Sequence, residues 1–218
     1  KDDASHGTSE TFNCGSNKLV VPQGHTYETV QVGRQCWTKT NMREPVGTND
    51  LSIVDNDYID NDPIYLTNGN DSINGYYYNW KAAQLVCPSG WHYPSEDEWE
   101  TLEDYVSSIG ANVCGSEDDN IAKSLATQTG WAMSNEPCAV GNTSSENNTT
   151  GFSAVPTGRY NFEESNFYKS DTAAFFWVFE SGAGKPVSLY YNEADVTTDG
   201  HTSSHALPAR CVKDELAE

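Results

Sequence analysis

The stretch Cys87-Pro88-Ser89-Gly90-Trp91-His92-Tyr93-Pro94-Ser95-Glu96-Asp97-Glu98-Trp99 decides most of the fold. Its second half is the start of a helix. Ser95 and Glu98 have capping-box spacing, in which the hydroxyl accepts from the Glu98 amide while the Glu98 carboxylate reaches back to the Ser95 amide. Glu96, Asp97 and Glu98 in the first turn suit the positive end of the helix dipole. Apolar residues then fall at Trp99, Leu102, Val106 and Ile109, which form one face of a 3.6-residue period. Gly110 stands where such a helix would stop.

Signals weaken on either side of this helix. A short helix is expected over 79–86, with Trp80, Ala83 and Val86 on one side, and another over 121–126 before Gly130. Residues 18–21 and 27–32 read as a hairpin broken by Pro22, Gln23 and Gly24. From Asn41 to Asn74 the chain is dominated by Asn, Asp and Gly, with short strands expected at 53–54 and 64–66. A loop of that length inside a domain is functional or well tethered. Beyond Gly130 the texture becomes strands and turns. Strands are expected at 175–179 and 187–191 around a Gly-rich turn at 181–185, and a last one at 209–212. Helices in the middle and strands at both ends indicate an α+β domain whose termini share a sheet. It runs over 14–214, with a loose leader at 1–13 and a tail at 215–218.

Composition sets limits on function. The 218 residues carry 32 acidic side chains against 12 basic ones, a net charge of −20. That excludes a nucleic-acid binder built on basic patches and disfavours anionic membrane surfaces. No apolar run approaches the roughly 20 residues of a transmembrane helix, so no membrane insertion is expected. Twelve Tyr and six Trp argue for a packed core despite the scarcity of aliphatic residues.

Cys14, Cys36, Cys87, Cys114, Cys138 and Cys211 include no CxxC pair and no Cys/His cluster. An even set of this kind fits three disulfides better than a zinc site, and fifteen connectivities are open to it. Disulfides indicate an exported protein. Residues 1–10 are polar and lack the apolar core of a signal peptide, so the sequence reads as a mature or trimmed form.

Catalytic signatures are missing. There is no GxSxG elbow, HExxH helix or dinucleotide-binding glycine pattern. Gly182-Ala183-Gly184-Lys185 is a truncated echo of a phosphate loop, with Pro186 where Ser or Thr is needed, and reads better as a hairpin turn. His201 and His205 would align on a helix, but they lie among Thr, Ser and Gly. Asp55, Asp57, Asp60 and Asp62 offer the oxygen ligands calcium prefers, without the glycine and distal glutamate of an EF-hand. No cofactor is expected, and calcium is the one ion left open. The chain does not read as an enzyme.

Several further segments align in order with one known pattern. Tyr27-Glu28-Thr29-Val30-Gln31-Val32-Gly33 is followed by Gln35-Cys36-Trp37, and then by Tyr76-Tyr77-Tyr78-Asn79-Trp80 and Ala82-Ala83. After the Cys87–Trp99 block come Gly151-Phe152-Ser153-Ala154 with Pro156 and Gly158, then Phe176-Trp177, and lastly Arg210-Cys211-Val212-Lys213-Asp214. Over residues 14–214 the chain resembles the Fibrobacter succinogenes major paralogous domain, a C-type lectin-like family of Bacteroidetes surface proteins. The resemblance implies a disulfide-stapled lectin-like fold with long loops. It places the protein at the extracellular or outer-membrane surface of a bacterium and matches Cys87 and Cys211 to the long-range disulfide of that fold; proximity along the chain then pairs Cys14 with Cys36 and Cys114 with Cys138. It also makes Trp80, Trp91, Trp99 and Trp177 core residues.

The chain departs from the family after Trp177, where Val178-Phe179-Glu180 replaces small polar residues and a Glu. The following stretch is similar to the variable surface of proteins diversified by retroelements. It implies a ligand-binding face made of Val178, Phe179, Ser188, Tyr190, Asn192, Asp195, Thr197, Asp199, His201, Ser203 and His205, with Tyr191 as a further anchor. Such mixtures of rings and short polar groups suit adaptable recognition. The expectation is a non-enzymatic adhesin or pilus-tip domain that binds a cell-surface protein or glycan. The alternatives are a structural subunit bound to other appendage subunits and, further off, a relative of formylglycine-generating enzymes.

Overall fold

Ser95 closes the expected capping box: its hydroxyl accepts from the Glu98 amide at 3.2 Å, and its own amide donates to Glu98 Oε2 at 2.8 Å. The structure, a computed structural model, describes residues 12–54, 56–198, 200 and 204–214, without the side chains of residues 56–58. Readings on the leader up to residue 11, the 215–218 tail, Asp55, Asp199, His201 and Ser203 therefore lie outside the described residues.

In chain order the strands are β1 (Leu19–Val20), β2 (Thr26–Tyr27), β3 (Thr29–Val32), β4 (Gln35–Thr38), β5 (Tyr65–Leu66), β6 (Tyr77–Tyr78) and β7 (Trp91–His92). They continue with β8 (Arg159–Asn161), β9 (Asn166–Tyr168), β10 (Ala173–Glu180), β11 (Ala183–Tyr190), β12 (Thr197–Thr198), β13 (His205–Ala206) and β14 (Val212–Lys213). The helices are α1 (Asn56–Asn61), α2 (Asp71–Asn74), α3 (Trp80–Ala83), α4 (Glu96–Ser107) and α5 (Ala122–Leu125). The architecture is mixed α and β with small antiparallel sheets. One of them, ordered β3-β4-β14-β7, brings the two ends of the chain together, with Val212 facing Trp37 on one side and His92 on the other. The other multi-stranded sheets are β10-β11-β12 and β13-β8-β9.

The core is aromatic, as the composition requires. Trp37, Trp99, Phe152 and Phe176 form a closed set of ring contacts with centroids 5.6–5.8 Å apart, mostly edge to face. Full burial of such rings contributes roughly 2–3 kcal/mol each. Trp177 lies fully buried in the adjoining cluster, its Nε1 donating to the Tyr78 carbonyl at 2.7 Å. Trp91 is buried as well, while Trp80 is half-buried. Three disulfides staple this core: Cys14–Cys36, Cys87–Cys211 and Cys114–Cys138, with Cα separations of 5.8, 5.7 and 5.4 Å. This is the pairing that the resemblance implied.

Several local expectations are corrected. α4 ends at Ser107, before Gly110, because the Ser107 and Ser108 hydroxyls turn back to the Glu103 and Tyr105 carbonyls and compete with further helix. Ile109 therefore lies past the helix and is 37% exposed. Leu51–Ile53 is a 3-10 turn capped by Asp50, in place of a strand at 53–54. The helix expected over 79–86 is the single turn α3, since Asn79 serves as its N-cap. All four hydrogen-bonding positions of the buried Asn79 amide are used. Oδ1 accepts from Ile64 N and Ala82 N, and Nδ2 donates to the Ile59 and Asp62 carbonyls, at 2.8–3.0 Å. One side chain thus ties the long 41–74 loop to the core at three points, residues 59, 62 and 64. Within it α1 and α2 add two short helices that the composition had hidden.

Candidate functional site

β10 and β11 pair over eight residues each, from Glu180 opposite Ala183 to Ala173 opposite Tyr190. The turn joining them is two residues long, Ser181 at φ 48° and Gly182 at φ 90°, shorter than the 181–185 turn expected. Both residues adopt positive φ, as a tight hairpin turn demands. Lys185 is therefore a strand residue. It is ion-paired with Glu96 and with Glu180, the latter at 3.3 Å, and is no part of a phosphate loop.

This register splits the expected binding face. Phe179 stands at the turn end and Tyr190 at the open end, about 20 Å apart at the usual rise per residue. Val178 and Ser188 are fully buried, which does not fit the surface role expected of them. His205 lies on β13, opposite Asn161 in another sheet. Asp195 is half-buried on the loop between β11 and β12.

At the open end Tyr190, Asn192 and Thr197 line one groove of about 530 Å³. Lys169, Thr172, Tyr191 and Glu193 complete it. The Lys169 ammonium lies 4.3 Å from the centre of the Tyr190 ring, and that ring meets Phe175 edge-on at 5.8 Å. One wall is the 169–172 turn, where Lys169 (φ 58°) and Asp171 (φ 65°) both occupy the left-handed region. Strain of this kind persists only where the surroundings impose it. Here the Asp171 amide donates to Pro156 O at 2.9 Å and its carbonyl accepts from Ala132 N at 2.7 Å. Gly158 lies under the turn, and a Cβ there would come within 2.7 Å of Ser170 N and collide with the Tyr168 carbonyl. The opposite wall is held by Gly141 N donating to Tyr191 O at 2.7 Å and Val140 N to Glu193 O at 3.0 Å.

Lys169, Thr172 and Glu193 were missed from the sequence. Thr172 was within reach, because a two-residue turn at 181–182 places it beside Tyr191. Lys169 enters through a left-handed turn between non-glycine residues, which carries no sequence signature.

Two other clusters lie elsewhere. At the turn end Phe179, 37% exposed, stacks on Trp80 with ring centres 6.3 Å apart, and Tyr93 meets both edge-on. Glu103, Asp104, Asp118 and Asp119 rim a smaller hollow of about 260 Å³ beside α4. Burial raises the Glu103 pKa, opposed by the hydrogen bond from Trp99 Nε1 at 2.7 Å. Asp60 and Asp62 are exposed. Among the described residues no group of three or more His, Cys, Asp and Glu side chains is arranged to hold a metal ion. No helix among them is long and apolar enough to cross a membrane.

The model of the Fibrobacter succinogenes major domain matches residues 30–213. The chain belongs to that family. No curated protein and no solved structure matches it. Within this major domain the matched span takes in the four-stranded sheet from Val30 onward, α4, the β10–β11 hairpin and the groove. The Cys87–Cys211 and Cys114–Cys138 disulfides lie wholly inside it, whereas Cys14 lies before it. Three disulfides are compatible with an extracellular or secreted protein.

Proposed function

We propose that this major domain is an exported, non-enzymatic ligand-binding module of C-type lectin-like architecture, of the adhesin or pilus-tip type. Its ligand, a cell-surface protein or glycan, sits in the groove at the open end of the β10–β11 hairpin. The observation that carries this reading is the convergence of Tyr190, Asn192 and Thr197 on one concavity with Lys169, Thr172, Tyr191 and Glu193. Rings beside short polar groups on a rigid base are what adaptable recognition uses. The strand that joins the chain ends and the disulfide binding the last strand to Cys87 support the lectin-like architecture. They also hold the hairpin as a fixed base.

The test is adhesion of the full chain to host and bacterial cell surfaces. Tyr191→Ala combined with Asn192→Ala should reduce binding by about tenfold or more, equivalent to about 1.4 kcal/mol, with the melting temperature preserved. Phe179→Ala, at the other end of the hairpin, should leave binding within about twofold. Binding is expected to survive chelation of calcium. Retained adhesion in the double variant would overturn the assignment.

A further inference from the structure

We propose that the groove takes an uncharged saccharide; this inference rests on the groove being the ligand site. Charge gives the first argument. Among the described residues the groove is lined by one cation, Lys169, and one carboxylate, Glu193, within a chain of net charge −20. An anionic ligand would approach against the field of the whole chain and meet a single ammonium already placed over the Tyr190 ring. A basic peptide would be drawn in by the field of the chain but would meet that same ammonium as a like charge at the wall. A neutral ligand escapes both penalties.

The second argument is functional-group pairing. Asn192 offers an amide that donates and accepts, and Thr172 a hydroxyl whose proton already goes to the Lys169 carbonyl at 3.0 Å, leaving its oxygen to accept. Glu193 accepts and Lys169 donates. Neighbouring hydroxyls on a sugar ring are each donor and acceptor, so they match this mixture without needing a fixed charge. The Tyr191 ring supplies apolar surface for the C–H face of the same sugar.

Shape is the third. A volume of about 530 Å³ lies within the range of small-molecule sites, about 300–1,000 Å³. Both walls are tied by backbone hydrogen bonds to neighbouring segments, so little ordering is needed on binding.

The experiment screens the full chain on an array of neutral, sialylated and uronate-containing oligosaccharides, and then titrates the tightest neutral binder by calorimetry. Neutral saccharides should dominate the signal. Affinity should change by less than about threefold between low and high salt. Tyr191→Ala and Asn192→Ala should each weaken it by about tenfold or more, with unchanged circular dichroism. Preferred binding of acidic glycans, with loss on salt addition and on Lys169→Gln, would overturn the proposal, and so would an array with no binder. If a protein partner is lost in the Tyr191 and Asn192 variants while no saccharide competes, the saccharide is wrong and the groove stands. If saccharides bind both variants normally, the groove itself is wrong.

Discussion

Arg210 Nη1 donates to the Thr38 carbonyl at 2.7 Å across 172 residues of sequence. The same guanidinium donates from Nε to Asn41 Oδ1, from Nη1 to the Phe152 carbonyl and from Nη2 to the Ser153 carbonyl, at 2.7–3.0 Å. It lies between the Phe152 and Phe176 rings, 4.8 and 5.4 Å from their centres. These acceptors are all uncharged, and burial lowers the Arg210 pKa to about 9, which leaves it protonated at neutral pH. One buried cation thus ties β4, the 152–153 segment and the final strand into a unit.

Arg210→Lys should therefore be severe. A single ammonium cannot reach four acceptors set around a planar fork, and the orphaned carbonyls stay buried. A loss of about 3–5 kcal/mol is expected in urea unfolding. A loss below about 1 kcal/mol would show that the fork geometry does not matter.

His92 bridges Glu98 and Asp214, at 2.6 Å from each ring nitrogen, and so joins the start of α4 to the C-terminal strand. The Glu98 hydrogen bond, opposed by desolvation and aided by Asp214, raises its pKa from 6.5 to about 9. The charged form is favoured in the folded state. Its stabilisation is complete below pH 6.5 and is lost as pH rises through about 9. The ring is more than a third exposed, so solvent screening reduces the effect to about 1 kcal/mol. Thermal melts from pH 6 to 10 should show this fall, and His92→Gln should flatten it. An equal slope in the variant would refute the assignment.

Gly184 lies opposite Phe179 and under the Trp80 indole. A Cβ there would come within 2.6 Å of Trp80 Cδ2 and 3.0 Å of Trp177 Cε3. Gly184→Ala should destabilise by about 1–3 kcal/mol and shift tryptophan fluorescence to the red as Trp80 is displaced. An unchanged spectrum and melting temperature would show that the indole can yield freely.

Removing the Cys87–Cys211 disulfide as a paired serine variant should cost more than removing either local one. In the chain-entropy picture its separation of 124 residues corresponds to about 5 kcal/mol, against roughly 3 kcal/mol for separations of 22 and 24. Denaturant midpoints of the three paired variants give the ranking. A Cys14–Cys36 variant less stable than the Cys87–Cys211 variant would contradict it.

What was legible in the sequence was local or recurrent. The Ser95–Glu98 cap, the buried face of Trp99, Leu102 and Val106, and the hairpin strands all depend on residues a few positions apart. Short-range hydrogen bonding and periodicity express such features directly. Family membership was legible because its motifs occur in order along the chain. The end of that helix was not legible, because the Ser107 and Ser108 hydroxyls turn back on it before Gly110 is reached.

The sequence by itself determined the even set of six cysteines, the aromatic core, the position of α4 and the hairpin that leads to Tyr190 and Asn192. Tertiary structure alone decided which displayed residues meet. Side chains on one hairpin separate along its length, so Phe179 and Tyr190 fall at opposite ends although they are close in sequence. Lys169 and Thr172 join Tyr190 because a left-handed turn, held over Gly158 by distant backbone, folds back across the sheet. Arg210 reads in sequence as one member of a motif, with no sign of its partners. It becomes central only when chain closure brings carbonyls from opposite ends of the sequence around it.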